Sequence, residues 1–293
     1  MKKFRIGIIG TENWHAKQFT EFFNKPDANG NYAFPSCRVT SVWGMYPQES
    51  EKVVSDFGAE KVANSIEEMV EEVDAVMVTA RDGKFHAEFV RPFIEKGIPA
   101  FVDKPITTDV KEAEELIALA KEKGVPLCGG SSLRHSKEIL DLKKARAEIG
   151  EELRCGFVSA PLSFQNEYSG FWFYSSHLAE MCLEIFGYNP KSVTASENNQ
   201  CVFATVNYDG FSVNCNFVND SYSSYAGILF SKEKTEMKLV TLDDIFLVEC
   251  KEFVEMITNG TMLRSYEDLI KPVKVLQAIK TAYETGEKVE IQE

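Results

Sequence analysis

Between Phe4 and Cys128, short apolar runs alternate with segments of helical spacing, and few folds accept that alternation. Apolar strands read at 4–9, 38–43, 73–79, 99–102 and 125–128. Helices read between them at 14–23, 49–57, 85–96 and 110–123. The stretch 73–79 is almost wholly apolar, as a strand covered on both faces must be. In 110–123 the apolar residues Ala113, Leu116, Ile117 and Ala120 keep the i, i+3, i+4, i+7 rule. Punctuation agrees with these bounds. Gly58, Gly97 and Gly124 stop helices, and Ser65, followed by Glu67 and Glu68, starts one. Repeated β-α-β units demand a parallel sheet with helices on both faces.

After Gly130 the pattern changes. A helix at 137–149 precedes strand-like segments at 153–159, 192–196, 201–208, 211–218, 226–231 and 236–240. Asp209-Gly210 is a hairpin turn between two of them. The tail returns to helix at 245–259, closed by Gly260, and at 266–285, closed by Gly286. The expected fold class is therefore α/β. A parallel sheet domain at 1–125 is followed at 126–293 by an α+β domain with a large, mostly antiparallel open sheet. The C-terminal helices are expected to pack back on the first domain.

Thirty-two basic residues stand against 45 acidic ones, a net charge of −13. A phosphate-tracking surface needs a surplus of Lys and Arg, so no nucleic-acid partner is expected. The same charge opposes adsorption to an anionic membrane. No apolar run approaches the roughly 20 residues of a membrane span. The basic start Met1-Lys2-Lys3 leads into a short apolar run without a small-residue cleavage site, which reads as a first strand rather than a signal peptide. Seven cysteines, widely spaced and without a C-x-x-C pair, suggest neither a disulfide framework nor a zinc site. A reducing cytoplasm fits them. With four histidines and no H-E-x-x-H, no metal is expected.

Three stretches carry chemistry. At Gly7-Ile8-Ile9-Gly10-Thr11-Glu12-Asn13-Trp14-His15 a strand turns through glycine into a helix, where a Rossmann fold receives a dinucleotide pyrophosphate. Glu12 stands where G-x-G-x-x-G has its second glycine, and Trp14 stands near the third. A tight strand-to-helix turn without a ligand explains the stretch equally well. At Asp103-Lys104-Pro105 the proline forces Lys104 toward an extended conformation at the carboxyl edge of the sheet. A lysine partly desolvated there loses basicity and can act as general acid or base, oriented by Asp103. A solvated surface charge is the plainer reading. At Tyr174-Ser175-Ser176-His177 a histidine at a helix start could exchange a proton with a substrate hydroxyl, with Tyr174 as its hydrogen-bond partner. A capping or packing histidine is the alternative. The surrounding Phe164, Tyr168, Phe171, Trp172 and Phe173 suit a core or subunit interface better than a sugar-stacking platform.

Taken in order, these stretches resemble the Gfo/Idh/MocA oxidoreductase family. The resemblance rests on the Gly10–His15 turn, the run Thr79-Ala80-Arg81-Asp82-Gly83-Lys84-Phe85-His86, Asp103-Lys104-Pro105-Ile106 for the family's E-K-P, and His177-x-x-Glu180. It implies NAD(P)-dependent hydride transfer to or from a secondary alcohol of a small polyhydroxylated molecule, such as a sugar or cyclitol. It implies Lys104 and His177 as proton-transferring residues beside Tyr174. It implies a cofactor site at Gly10, Thr11, Glu12, Asn13, Trp14, Arg81, His86, Asp103 and Lys104, and a homodimer or homotetramer formed through the open sheet. Three positions depart from the family pattern. Phe173 replaces the aspartate four residues before His177, with Glu180 as the carboxylate three residues after it. Glu12 sits in the phosphate loop. Near Gly44 there is neither an acid for an adenosine ribose nor a base for a 2′-phosphate, so NAD and NADP both remain open. A degenerate member that senses a ligand or binds a protein is the competing reading.

Overall fold

The computed structural model describes residues 3–292; the basic start at Met1 and Lys2, and Glu293, lie outside the described residues. The chain divides into two compact units. The first holds residues up to Thr107, then Lys111–Gly130 and Phe246–Leu269; the second holds Thr108–Val110, Ser131–Ile245 and the residues from Ile270 onward.

In the first unit the order is β1 (Phe4–Ile9), α1 (Trp14–Asn24), β2 (Cys37–Trp43), α2 (Pro47–Phe57), β3 (Lys61–Val62), α3 (Ile66–Glu72), β4 (Ala75–Val78), α4 (His86–Glu95), β5 (Ala100–Asp103), α5 (Val110–Lys123) and β6 (Leu127–Gly130). The six strands are all parallel in the order β3-β2-β1-β4-β5-β6. The chain turns outward from β1 to β2 and then returns to β4. The crevice beyond the carboxyl ends of β1 and β4 is therefore the switch point where such sheets take ligands. Every residue of β4 and β5 is buried, the apolar burial that cover on both faces requires. On one face Phe19 of α1 meets Phe101 of β5 edge-on with ring centroids 5.5 Å apart. Phe101 also meets Phe253, at 6.4 Å, from the later helix α8 (Ile245–Asn259).

The second unit contains α6 (Lys137–Ile149), β7 (Leu153–Leu162), α7 (Phe171–Phe186), β8 (Ser192–Asn198), β9 (Cys201–Asn207), β10 (Ser212–Asn219), β11 (Ala226–Ser231) and β12 (Thr235–Leu239). It closes with most of α9 (Tyr266–Thr285) and β13 (Val289–Glu290). Its seven strands run β12-β11-β7-β10-β9-β8-β13, antiparallel except for the parallel pair β7 and β10. Helix α7 is buried at every position but Tyr174 and lies against β7. Gly156 makes that approach possible, because a Cβ there would sit 2.2 Å from the Phe186 ring. The opposite face of the sheet is a shallow depression of about 530 Å³ lined by Phe203, Thr205, Asn214 and Asn216, among others.

The differences from expectation have local causes. Helix α2 starts at Pro47, two residues early, because a proline's fixed φ suits the first helical position. Strand β6 starts at Leu127, since the Val125 amide still donates to Ala120 at the end of α5. Strands β3 and β13 have two residues each and leave no periodic trace. Helix α7 begins at Phe171, so His177 lies two turns inside it and not at its start. The aromatic run that read as core or subunit interface extends the helix backward. No helix among the described residues is long and apolar enough to cross a membrane.

Candidate active site

In the first unit the ends of β1, β4 and β5 are tied together around Gly10. Its φ of +95° and a Cβ position 2.2 Å from the Ala80 amide nitrogen admit only glycine. The Thr79 hydroxyl donates to the Ile9 carbonyl at 3.0 Å and so pins β4 to β1. Asn13 caps α1, its Oδ1 accepting the His15 amide at 3.3 Å. The same side chain donates from Nδ2 to the Thr79 carbonyl at 2.9 Å and to Asp103 Oδ2 at 3.3 Å. Thr11 is fully buried, with its hydroxyl 2.8 Å from that of Ser50. Glu12 Oε1 accepts the Arg81 amide at 3.0 Å, and this carboxylate latches the glycine turn to the loop after β4.

Asp103 ends β5, one residue later than the sequence suggested, and is almost wholly buried. Its Oδ2 lies 2.5 Å from His15 Nδ1 and its Oδ1 accepts the Lys104 amide at 2.7 Å. Burial alone would raise this carboxyl. The adjoining His15 ring, with Lys104 and His86, outweighs burial and holds it below the usual carboxylate range. Lys104 is enclosed rather than open, at 8% exposure. Burial pulls its ammonium from 10.5 to about 8, with Asp103 opposing the fall, Arg81 adding to it and Glu249 opposing it. Glu249 comes from α8, whose Phe246 packs on the His15 ring at 4.7 Å.

His86 is the first residue of α4. It is fully buried, with Nδ1 2.7 Å from the Pro105 carbonyl oxygen and Nε2 2.7 Å from that of Ala80. It joins the loops after β4 and β5. Trp14, at 56% exposure, packs edge-on against Phe57 at 6.2 Å. Gly44 meets the same turn from β2, for a Cβ there would lie 2.2 Å from Thr11 Oγ1.

In the second unit His177 is 9% exposed. Its Nδ1 lies 2.7 Å from the Ser131 hydroxyl oxygen, and Glu180 Oε1 accepts the Ser131 amide at 3.2 Å. Around the ring stand Tyr225, edge-on at 6.0 Å, and Tyr174, tilted at 6.4 Å, with Tyr222 5.3 Å beyond Tyr174. Burial pushes the Tyr225 hydroxyl above its usual value, and Tyr174 adds to the rise. Phe173 packs between Tyr168 at 5.6 Å and Tyr174 at 4.8 Å, where the resemblance expected a carboxylate.

Sequence reasoning missed Ser131 and Glu249. Ser131 had one visible mark, a polar residue after the glycines of a strand end. Nothing in the sequence shows that it meets a side chain 46 residues away.

The matching family model is that of the GFO_IDH_MocA oxidoreductase family, NAD-binding Rossmann fold, over residues 4–130. Those residues belong to the Gfo/Idh/MocA family. Among curated relatives, a myo-inositol dehydrogenase of Streptomyces leeuwenhoekii is 34% identical over 105 residues, 36% of this chain and 32% of that protein. A scyllo-inositol 2-dehydrogenase (NADP(+)) of Bacillus subtilis is 29% identical over 161 residues, 50% of this chain and 44% of that protein. The chain spans about a third to a half of the length of the curated relatives it matches. In fold the likeness extends over nearly the whole chain. The scyllo-inositol dehydrogenase of Lactobacillus casei, solved with NAD(H) and scyllo-inositol, superposes with a TM-score of 0.84 and 16% identity, covering 99% of both chains. The α/β architecture, a parallel Rossmann-type sheet followed by a mixed second sheet, is thus the fold of that solved structure.

Proposed function

We propose that this protein is an NAD(P)-dependent oxidoreductase acting on a secondary alcohol or carbonyl of a small polyhydroxylated molecule, a cyclitol or a sugar. The observation that carries the proposal is Lys104. It lies at the carboxyl end of a parallel strand, and burial brings its ammonium to about 8, close to the pH at which a general acid or base works best. The inositol dehydrogenases among the relatives support the substrate class.

The first unit fits a dinucleotide in most respects. The Gly10 turn leaves no Cβ in the way, and the capped start of α1 directs amides at the loop where a pyrophosphate is held. The Glu12 carboxylate opposes such a ligand by its charge. The residue after β2 that selects between NAD and NADP is Gly44, which carries no side chain to do so. Both cofactors are therefore proposed. When bound, nicotinamide accepts or supplies hydride, and this chain's residues supply orientation and the proton path. In the oxidative direction Lys104 or His177 takes the proton of the substrate hydroxyl. In the reductive direction the same group returns it.

The chain is further proposed to work as a homodimer or homotetramer, the open sheet face with the exposed Phe203, Phe230 and Met237 being its interface. Light scattering at micromolar concentration tests this, and a strict monomer overturns it. The relatives, named dehydrogenases, lend no support to the ligand-sensing or protein-binding alternative.

The deciding experiment titrates the protein with NADH and NADPH by fluorescence, then follows nicotinamide absorbance with a panel of inositols and sugars. Submillimolar binding of either cofactor, and turnover lost in Lys104→Ala, is the expected result. No binding of either cofactor at millimolar concentration overturns the proposal.

A further inference from the structure

His177 needs an orienting partner if it is to exchange a proton through one nitrogen. The usual partner is a carboxylate on the nitrogen that does not react. Position 173, one helical turn before it, is an aromatic residue packed on Tyr168 and Tyr174. The partner comes from elsewhere in the second unit. Ser131 begins the turn Ser132–His135 as its cap, in an extended conformation with φ −82° and ψ 128°. It is fully buried, and its hydroxyl lies 2.7 Å from His177 Nδ1.

Ser131 is itself held from two sides. Its hydroxyl oxygen accepts the Leu133 amide at 3.2 Å, which occupies one of two lone pairs. The Ser131 amide donates to Glu180 Oε1 at 3.2 Å. Glu180 follows His177 by three residues on α7, so ring and carboxylate project from one helix face and bracket residue 131. The serine thus has a fixed backbone and an oxygen held within hydrogen-bond distance of the ring.

We propose that Ser131 is a positioning residue for His177, accepting the Nδ1 proton through its hydroxyl oxygen so that Nε2 exchanges the substrate proton. The inference rests on the dehydrogenase reading for its consequence in catalysis, and on the second unit's own geometry for the rest. With Nδ1–H donated to Ser131 Oγ, the neutral ring keeps its lone pair at Nε2. There it takes the hydroxyl proton in oxidation and gives it back in reduction.

The test uses the full chain labelled with ¹⁵N-histidine, the His177 signals being assigned by their loss in His177→Gln. The expected wild-type spectrum shows the Nδ1–H form of His177. In Ser131→Ala that form gives way to a mixture of tautomers, and kcat falls at least 10-fold while KM stays within about twofold. Ser131→Thr, which keeps the hydroxyl, restores both. A purely structural role would lower the melting temperature without moving the tautomer. The proposal is overturned if wild-type His177 is in the Nε2–H form, or if its signals are unchanged in folded Ser131→Ala. A tautomer lost in Ser131→Ala, in a protein that shows no hydride transfer, upholds the positioning role and defeats the dehydrogenase reading.

Discussion

Asp103 Oδ2 lies 2.5 Å from His15 Nδ1, while its other oxygen accepts the amide of Lys104. One buried carboxylate therefore organises both a helix start and the lysine proposed to carry protons. It is also the nearest anion in sequence to Lys104 and raises that ammonium's pKa against burial. Asp103→Asn removes the anion and keeps the shape. The Lys104 pKa is expected to fall further below about 8, since burial then acts without its main opposing charge. The measurement is the pH dependence of Lys104 acylation in the cofactor-free protein, read by peptide mapping. A shift to higher pH contradicts the arrangement.

Lys104 also makes stability depend on pH. Its folded pKa is about 8 against 10.5 for the free side chain, so between those values the unfolded chain binds the extra proton. Stability then rises with pH across that window and is reduced below it. The drop corresponds to about 3 kcal/mol at neutral pH, an upper figure because the ammonium keeps polar neighbours. Lys104→Met is expected to melt higher than wild type at pH 7, to lose the rise between pH 8 and 10.5, and to lose turnover. Thermal scans of both proteins across that range decide it.

The regular elements of the first unit were legible because helix caps, glycine stops and doubly covered strands are local signals. Helices α5, α6, α8 and α9 stand where the residue patterns placed them. The site was legible only in part. Asp103 and Lys104 follow a recognisable strand, whereas Ser131 meets His177 through tertiary packing that no local pattern encodes. The bonding of His86 is hidden from the sequence for the same reason. Its sequence neighbourhood resembles a cofactor loop, and only the fold shows both ring nitrogens turned to backbone carbonyl oxygens.

The bare end of β2 has a steric cause. A Cβ at Gly44 would lie 2.2 Å from Thr11 Oγ1, which is itself held by the Ser50 hydroxyl at 2.8 Å. Gly44→Asp, the substitution that would install a ribose-binding acid, is expected to destabilise the fold by about 1–3 kcal/mol, as overpacking of a tight contact does. It should not create a preference for NAD over NADP. Thr11→Ala in the same chain relieves the clash and recovers part of the loss, a coupling of the kind contacting residues show. Melting temperatures of the two single variants and the double variant measure it. Additive losses would show that the two positions do not meet.

Glu12 holds the glycine turn to the next loop at an electrostatic cost to any bound pyrophosphate. Its Oε1 accepts the Arg81 amide at 3.0 Å, and a glutamine oxygen can do the same without the charge. Two like charges about 4 Å apart repel by about 1 kcal/mol in water and about 4 kcal/mol near a protein surface. Glu12→Gln is therefore expected to tighten NADH and NADPH binding by about 5- to 30-fold, on that scale of about 1–2 kcal/mol. The gain should shrink as salt is raised, because screening already weakens the repulsion in the parent protein. Glu12→Ala loses the latch together with the charge and should gain less than Glu12→Gln. Fluorescence titrations at low and high ionic strength compare the three proteins. Equal affinities at low salt would place the phosphates away from residue 12 and overturn the assignment of this turn to the cofactor.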